Sequence, residues 1–524
     1  MKYFPCLLIF HKKKVNFEEN HFKCEPINPP GCLSLQGTKF CRDMKKNLLV
    51  AFVLCLSYGF SYSHSFDKPI NQTAKMSNFE MDSFTTKNGK SLKITFFKHA
   101  SLLLDYAGQK IFIDPVSDYA AYTNNKGEAI FNSTYDPKKW ERAVNACKDL
   151  LTEAEGNGYA LYKEYNGDGS IDPFMSYSNM CYKEFNQGNK EILFARPDVS
   201  YDLYSQHSVP RGSRGQGGLG VTQELVDAFF MSNGLPAITG YEPNGEPIIN
   251  KASGYNESGF STQPDVRKTK WIEGDKDAKE SNAENTIAPA GTFNMYVNRE
   301  PRFYVSVLYN GAWYRQSSRY VDFYYAGEDG RPASGSLWDA PQTGYLLRKR
   351  VHPETNILNY SIPYRPGIIC RLAEAYLNYA EALNEWAPEQ TDEILKYVNL
   401  VRERAGIPQY GTGKDSNGLD KIPAPADQTA MREAIRRERR VEFNCEYAIR
   451  FDDIRRWKQI DILRGDFYGM NKFGTEKSCD KNNENAYFKR RVEITRAFSE
   501  KNYWFPIHQN QLDKNPNLRQ LPKW

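Results

Sequence analysis

The stretch CRLAEAYLNYAEALNE, residues 370–385, carries the clearest fold signal in this sequence. Its apolar residues recur three or four positions apart and place Tyr376, Tyr379 and Leu383 on one face, which is the spacing of an amphipathic helix. Small alanines stand beside the large tyrosines, which indicates close packing between helices. The stretch therefore predicts a helix with at least one helical neighbour.

Two further segments repeat this spacing and carry helix boundary signals. DEILKYVNLVRERAGIP (392–408) has Gly406 just past its last turn, where a left-handed glycine commonly ends a helix. YDPKKWERAVNACKDLLTEAEGNG (135–158) begins with Asp136 at a cap and Pro137 at the first helical position. Together these segments predict a bundle of packed helices.

A fourth segment, MREAIRRERRVEFNCEYAIRFDDIRRW (431–457), is predicted as one helix that begins near residue 429 and is the main charge run of the sequence. Glu433 is placed to pair with the arginines three and four residues further on, and Glu442 to pair with Arg439. The whole chain carries 69 basic and 64 acidic residues, a net charge of +5. We therefore interpret the charge run as ion pairs and expect no nucleic-acid partner.

Aromatic residues make up 14% of the chain, and many lie between Phe303 and Tyr345 in a region rich in glycine and proline. Flat aromatic rings stack on the C–H faces of sugars, although the same rings also fill seams between packed helices. Tyr324, Tyr325 and Trp338 flank a polar, glycine-containing loop. We predict these three residues as ligand contacts, with packing as the alternative for each.

The start of the chain contains a segment typical of export. From Met44 a short lysine-rich start, an apolar run and a small-residue exit resemble a signal peptide over residues 44–63. Residues 1–43 are then interpreted as an upstream extension that is not native to the protein. Cys55 follows Phe-Val-Leu, which is a poor context for lipidation, so a lipid anchor is not predicted from these residues.

Residues 90–120 alternate apolar and polar side chains in two runs around Ala107-Gly108, which predicts a β-hairpin. This hairpin resembles the opening strands of metallo-β-lactamase-like hydrolases, so residues 64–121 are interpreted as a stub of a different protein. The H-x-H-x-D-H metal loop that should follow is absent, and the seven histidines stand far apart. A metal-dependent hydrolase is therefore the disfavoured alternative, and no metal or cofactor is expected.

The segment YNGDGSIDP, from Tyr165, raises the question of a calcium site. Asn166, Asp168 and Asp172 offer oxygen ligands within one loop, but the glutamate that completes an EF-hand is missing. We expect a plain turn here.

Several blocks follow each other in an order that resembles a known family: RLAEAYLNYAEALNE, VNLVRERAGIP, REAIRRERRVEFNCE, RFDDIRRW and the closing YWFPIHQNQLDKNPNLRQLPKW. They resemble the C-terminal signature of the SusD/RagB family of outer-membrane nutrient-binding proteins. VTQELVDAFFMSNGLP, NREPRFYVSVLYNGAWY and TGYLLRKRV resemble the middle region of that family. The resemblance covers about residues 122–524, and the N-terminal part of the family is missing.

This resemblance implies a mainly α-helical fold, a tetratricopeptide-like bundle with loop-rich insertions, preceded here by the short β-hairpin segment. It implies binding of glycans or other oligomeric nutrients at the outer membrane, without catalysis. It also implies delivery of the ligand to a SusC-like TonB-dependent transporter. The remaining alternative is a purely structural helical scaffold, and the sequence does not identify the glycan or peptide that would be bound.

Overall fold

A computed structural model of the protein describes residues 80–85, 90–97, 101–106, 109–113, 136–332, 339–447, 449–503 and 505–515, with 518, 520, 521 and 524. The predicted upstream extension, the signal-like segment and Trp338 lie outside these residues. So does the Ala107-Gly108 turn.

Residues 80–113 contain a four-stranded antiparallel meander. Its strands are β1 (Glu80–Thr85), β2 (Ser91–Phe97), β3 (Ser101–Tyr106) and β4 (Gln109–Ile113), in the order β1-β2-β3-β4. The pairing of β3 with β4 is the predicted hairpin. The sheet has more strands than the single predicted hairpin. The alternating run before residue 107 divides into two strands, β2 and β3, that pair with each other, and β1 pairs with β2 as an additional edge strand.

Helices dominate the rest of the described chain. The helices are α1 (Lys138–Gly156), α2 (Pro173–Asn179), α3 (Asp202–Ser208), α4 (Gln223–Ala228), α5 (Pro301–Ser306), α6 (Leu372–Trp386), α7 (Thr391–Ala405), α8 (Gln428–Glu442), α9 (Ile449–Arg456) and α10 (Gln509–Lys514).

The strands in this part are short and form two-stranded antiparallel pairs. They are β5 (Glu164–Tyr165), β6 (Ile171–Asp172), β7 (Ile192–Arg196), β8 (Ile238–Tyr241), β9 (Pro247–Ile249), β10 (Asp265–Arg267), β11 (Asn285–Ala288), β12 (Val307–Tyr309), β13 (Trp313–Tyr314), β14 (Arg319–Tyr320), β15 (Tyr345–Leu347), β16 (Gly367–Arg371), β17 (Gly465–Met470) and β18 (Arg490–Arg496). Each strand pairs within β5/β6, β7/β16, β8/β9, β10/β11, β12/β15, β13/β14 or β17/β18. The predicted mainly α-helical fold is confirmed.

Helix α6 is the centre of the helical core, where it packs against α1, α7 and α8. The sequence predicted one buried face, but 12 of its 15 residues are buried because neighbours surround it on several sides. The start of α1 is one residue later than predicted, with Pro137 as its N-cap, and the Asp136 carboxylate accepts a hydrogen bond from the Lys138 N–H at 3.0 Å. Gly406 ends α7 with a left-handed φ of 70°.

The predicted fourth helix is two helices, α8 and α9, so the prediction of one continuous helix was wrong. Helix α8 ends at Glu442, and just beyond it the Asn444 side chain donates a hydrogen bond to the Val441 carbonyl at 2.7 Å. Cys445 and Tyr447 then adopt positive φ angles of 56° and 39°. A periodic pattern of apolar residues continues through this break and therefore does not reveal it.

The break directs charged side chains into the interior, where they join a set that we call the buried charge network. Its five carboxylates and five cations are Glu191, Glu300, Glu438, Glu442, Glu446, Arg302, Lys349, Arg371, Arg402 and Arg404, all of them buried. Arg371 pairs with Glu191 and Glu442, both at 2.7 Å, and with Glu446 at 2.8 Å. The buried ion pairs of this network therefore connect the helical core to the loop-rich region.

Opposite charges in this network keep its acids ionised. Burial by itself raises the pKa of Glu446, but the charges of Arg371 and Lys349 outweigh it and lower the pKa to about 2. The pKa of Glu442 is also lowered: burial opposes the shift, but Arg404, Arg371 and Arg302 outweigh it. Both carboxylates therefore carry full negative charge at neutral pH.

The intrahelical ion pairs predicted for α8 are correct for Glu433 and wrong for Glu442. Glu433 pairs with Arg436 at 3.1 Å near the surface. Glu442 does not pair with Arg439, because it points into the buried charge network while Arg439 bonds Asp453 at 2.9 Å. The predicted intrahelical pair is thus replaced by interior contacts between separate elements of the fold.

The segment that raised the question of calcium is a turn between β5 and β6. Asn166 and Ser170 close it by a backbone hydrogen bond of 2.8 Å, and Asp168 pairs with Lys268. Asp172 is fully buried as the N-cap of α2. No group of acidic, histidine or cysteine side chains among the described residues is arranged to hold a metal ion.

Replacing Asp172 by alanine is expected to lower the free energy of unfolding by about 1–3 kcal/mol. Its carboxylate accepts hydrogen bonds from the Thr269 hydroxyl and the Lys270 N–H, both at 2.7 Å, and both are lost in the variant, the first of them in the interior. Urea unfolding measures the change. Asp168→Ala in the same turn is the control and should have little effect. A rise in melting temperature on adding calcium would contradict the turn interpretation.

The loop-rich region has its own hydrophobic core, which is rich in aromatic rings. The Tyr296 and Tyr309 ring centroids lie 4.5 Å apart at its centre. Four aromatic residues of the cluster noted in the sequence are buried there, Tyr304, Tyr309, Tyr314 and Tyr345, and Trp313 is buried outside this core. For these residues the packing alternative is therefore the correct one.

In the part of the chain that the structure describes, none of the helices combines the length and the apolar character needed to cross a membrane.

Candidate functional site

Tyr324 and Tyr325 lie in a tight turn of the loop-rich region, which the structure holds firmly. Asp329, fully buried, accepts hydrogen bonds from the Arg319 guanidinium at 2.6 Å and the Gly212 N–H at 3.0 Å. The turn itself is closed by the Gly327 N–H, which donates to the Tyr324 carbonyl at 2.9 Å. These hydrogen bonds therefore fix the backbone of both tyrosines.

Tyr324 turns its ring towards the core. Its ring centroid lies 5.2 Å from that of Tyr487 and 6.3 Å from that of Phe488, both in edge-to-face arrangements. Burial raises the pKa of Tyr324 to about 12. The residue is half-buried, so it supports the turn and leaves only part of its side chain available to a ligand.

Tyr325 lies against a second segment that is distant in sequence, the long connection between β17 and β18. The Tyr325 N–H donates to the Gly474 carbonyl at 2.9 Å. The adjacent Phe473 ring lies 6.1 Å from the Tyr325 ring at an angle of 35°. The buried Asn471 side chain anchors this connection by donating to the Ala486 carbonyl at 2.9 Å. Two half-buried aromatic rings are thus held side by side.

Arginine side chains flank these rings. The Arg331 guanidinium carbon lies 4.8 Å from the Phe473 ring centroid and that of Arg491 lies 4.4 Å from it. We call Tyr325, Arg331, Phe473 and Arg491 the Tyr325–Phe473 surface. Lys472 is also near Phe473, but it is paired with Glu493. This surface therefore combines flat apolar rings with strong hydrogen-bond donors.

A cavity of about 200 Å³ lies near this surface. Phe488, the neighbour of Tyr324, is one of its walls, together with Phe293 and Met470. Its charged lining residues are paired with each other or with neighbours: Lys481 with Glu246, and Arg490 with Glu257 and Asp227. The cavity therefore has a mixed polar and apolar lining, and its charged residues are paired.

The structure brings together only part of the predicted site. Tyr325 is part of the Tyr325–Phe473 surface, Tyr324 precedes it in the same turn, and Trp338 lies outside the described residues. Sequence reasoning did not single out Phe473, Arg331 or Arg491. The one available signal was an aromatic residue next to glycine, Phe473-Gly474, in a polar connection between two strands.

The family model of the SusD family matches residues 178–524. BT4246, solved as its selenomethionine form, is 24% identical, with a TM-score of 0.52 over 76% of this chain and 66% of that one. A SusD-like protein (BF3747) from Bacteroides fragilis is 26% identical, with a TM-score of 0.49 over 74% of this chain and 62% of that one.

A SusD-like carbohydrate binding protein (BF0978) from Bacteroides fragilis is 21% identical, with a TM-score of 0.48 over 73% of this chain and 62% of that one. No curated protein matches the chain significantly. The chain spans less than two thirds of the length of these solved structures. The likeness to BT4246 shows the fold, and the family match covers more than half of the sequence. On these grounds the chain belongs to the SusD family.

Proposed function

We propose that this protein binds glycans or similar oligomeric nutrients on the Tyr325–Phe473 surface without catalysing their conversion. The observation that carries the proposal is the placement of Tyr325 and Phe473 side by side, from two distant segments that a backbone hydrogen bond joins. Tyr324, which is half-buried beside Tyr325, and Trp338, on the sequence prediction alone, stay proposed ligand contacts. Family membership supports the proposal independently.

The chemistry of the surface suits a sugar. Aromatic rings cover the C–H face of a sugar ring, and nearby polar groups bond its hydroxyls. Tyr325 supplies such a ring with a hydroxyl at its tip, and Arg331 and Arg491 supply N–H donors around it. Because the turn and the connection are both anchored, little conformational freedom is lost when a ligand binds.

The proposed cellular role follows from the family. We propose that the protein acts at the outer membrane and passes its ligand to a SusC-like TonB-dependent transporter. Affinity purification of the protein from its native membranes tests this role, with recovery of such a transporter as the expected result. Recovery of the protein from the periplasmic fraction without a transporter would contradict it.

Binding is tested by titration calorimetry of the purified protein against a panel of soluble plant and host polysaccharides. Tyr325→Ala is expected to weaken the affinity for any bound glycan by about tenfold, or ~1.4 kcal/mol, because the stacking ring is lost. Tyr165→Ala is the matched control, since Tyr165 is 52% exposed and lies in a different turn. Unchanged affinity after Tyr325→Ala, or no binding to any polysaccharide, would contradict the proposal.

A further inference from the structure

We infer that the ligand of the Tyr325–Phe473 surface is an acidic glycan, one that carries carboxylate or sulfate groups. This inference rests on the proposed function and specifies its substrate class. It is drawn from the two arginines that lie on Phe473, from the absence of acidic partners for them among the described residues, and from the tyrosine ring beside them.

The two guanidinium groups are held in a geometry that suits anion binding. Each lies near the Phe473 ring, at 4.8 Å for Arg331 and 4.4 Å for Arg491. A guanidinium that stacks on an aromatic ring keeps the N–H donors along its edge available, and those donors match the two oxygens of a carboxylate or sulfate. Phe473 therefore positions two guanidinium groups on one small surface.

Within the described residues, the positive charges of the Arg331 and Arg491 guanidinium groups are not compensated by acidic side chains. Arg331 has no ion pair there, and Arg491 has only a 3.5 Å contact to the uncharged Asn471 amide oxygen. The third nearby cation, Lys472, is different because Glu493 neutralises it. Within the described part of the chain, two positive charges thus remain without an acidic partner on this surface.

The acidic residues of the neighbouring turn do not supply the missing partners. Asp329 is fully buried and is bonded to Arg319, and Glu328 lies 3.6 Å from the same arginine. Asp322 accepts a hydrogen bond from the Tyr324 N–H at 3.3 Å. These carboxylates stabilise the turn, and the arginines on Phe473 are left to a ligand.

The Tyr325 ring determines what kind of anion this surface binds. An inorganic ion would use the arginines alone and would leave the Tyr325 ring, 6.1 Å from Phe473, without a role. A sugar that bears an acidic group places its apolar face on Tyr325 and its anionic oxygens on Arg331 or Arg491. The ligand is therefore an acidic sugar within an oligomer, such as a uronic acid or a sulfated sugar.

The test compares matched pairs of polysaccharides by titration calorimetry with the full chain. One pair is polygalacturonate and its methyl ester, and the other is chondroitin sulfate and unsulfated chondroitin. The wild-type protein is expected to bind at least one fully charged form about tenfold more tightly than its partner, and this preference should weaken as salt increases. The two pairs distinguish carboxylate from sulfate, and inorganic sulfate alone should compete weakly.

The double variant Arg331→Gln/Arg491→Gln is expected to lose this preference while it keeps the wild-type melting temperature. Arg464→Gln is the control, because Arg464 is an exposed arginine on another part of the surface. Equal affinity for the two members of each pair, or a preference that survives in the double variant, would overturn the inference. Tyr325-dependent binding of uncharged glycans alone would overturn only this inference, whereas no glycan binding would overturn the proposed function as well.

Discussion

Replacing Glu442 by alanine is expected to lower the free energy of unfolding by about 3–5 kcal/mol, the loss that follows when one partner of a buried ion pair is removed. The Glu442 carboxylate is fully buried and bonds Arg371 at 2.7 Å, Arg302 at 2.9 Å and Arg404. Without it, these cations stay in the interior with too little negative charge around them. Equilibrium unfolding in urea measures the difference.

Glu433→Ala is the matched control for this experiment, since Glu433 lies on the same helix but pairs with Arg436 near the surface. Its effect should be about 0.5 kcal/mol or less. A loss at Glu442 as small as the loss at Glu433 would show that the buried charge network does not hold the fold together. A variant with too little folded protein to unfold would agree with the expectation, provided that Glu433→Ala folds normally.

Replacing Gly474 by alanine is expected to weaken glycan binding by about tenfold or more and to cost about 1–3 kcal/mol of stability. A Cβ at this position would lie 2.5 Å from the Tyr487 Cα and 2.6 Å from its nitrogen, so the backbone must move. The Gly474 carbonyl accepts the Tyr325 N–H, and Phe473 is the preceding residue. A shift here therefore separates the two rings of the Tyr325–Phe473 surface.

Calorimetry with a bound glycan measures this effect, and urea unfolding measures the cost in stability. Gly167→Ala is the control, because a Cβ at Gly167 would meet no atom within 4 Å. Wild-type affinity in a folded Gly474→Ala protein would mean that ligand binding does not depend on the contact between the two segments.

The helical part of the fold was predictable because its signals are local. The buried faces of α1 and α7 follow from apolar spacing, and Asp136 and Gly406 mark ends that depend on neighbouring residues only. The family resemblance was also readable, since several blocks agreed in order. The break after α8 was not predictable, because the apolar spacing continues through it and does not reveal the positive φ angles at Cys445 and Tyr447.

The role of Glu442 was hidden for a related reason. On a helix with many charges, a glutamate near an arginine suggests a surface pair, and the sequence does not reveal that Arg371 and Arg404 converge on the same carboxylate. The candidate site shows the same limit. The region of Tyr324 and Tyr325 was readable from local loop composition, but Phe473 and Arg491 join it only through folding. Contact with a ligand stays a prediction for Tyr324, Tyr325 and Trp338.

The buried charge network also bears on how the chain reaches its native state. Its cations on β16 and α7 precede most of their carboxylates, since Glu438, Glu442 and Glu446 come from α8 and the residues after it. A nascent chain that had closed around Arg371 and Arg404 alone would enclose charges without enough counter-charge, which is strongly unfavourable. Folding is therefore expected to be cooperative and late, with the helices and the loop-rich region becoming protected from hydrogen exchange as a single unit once α8 is in place.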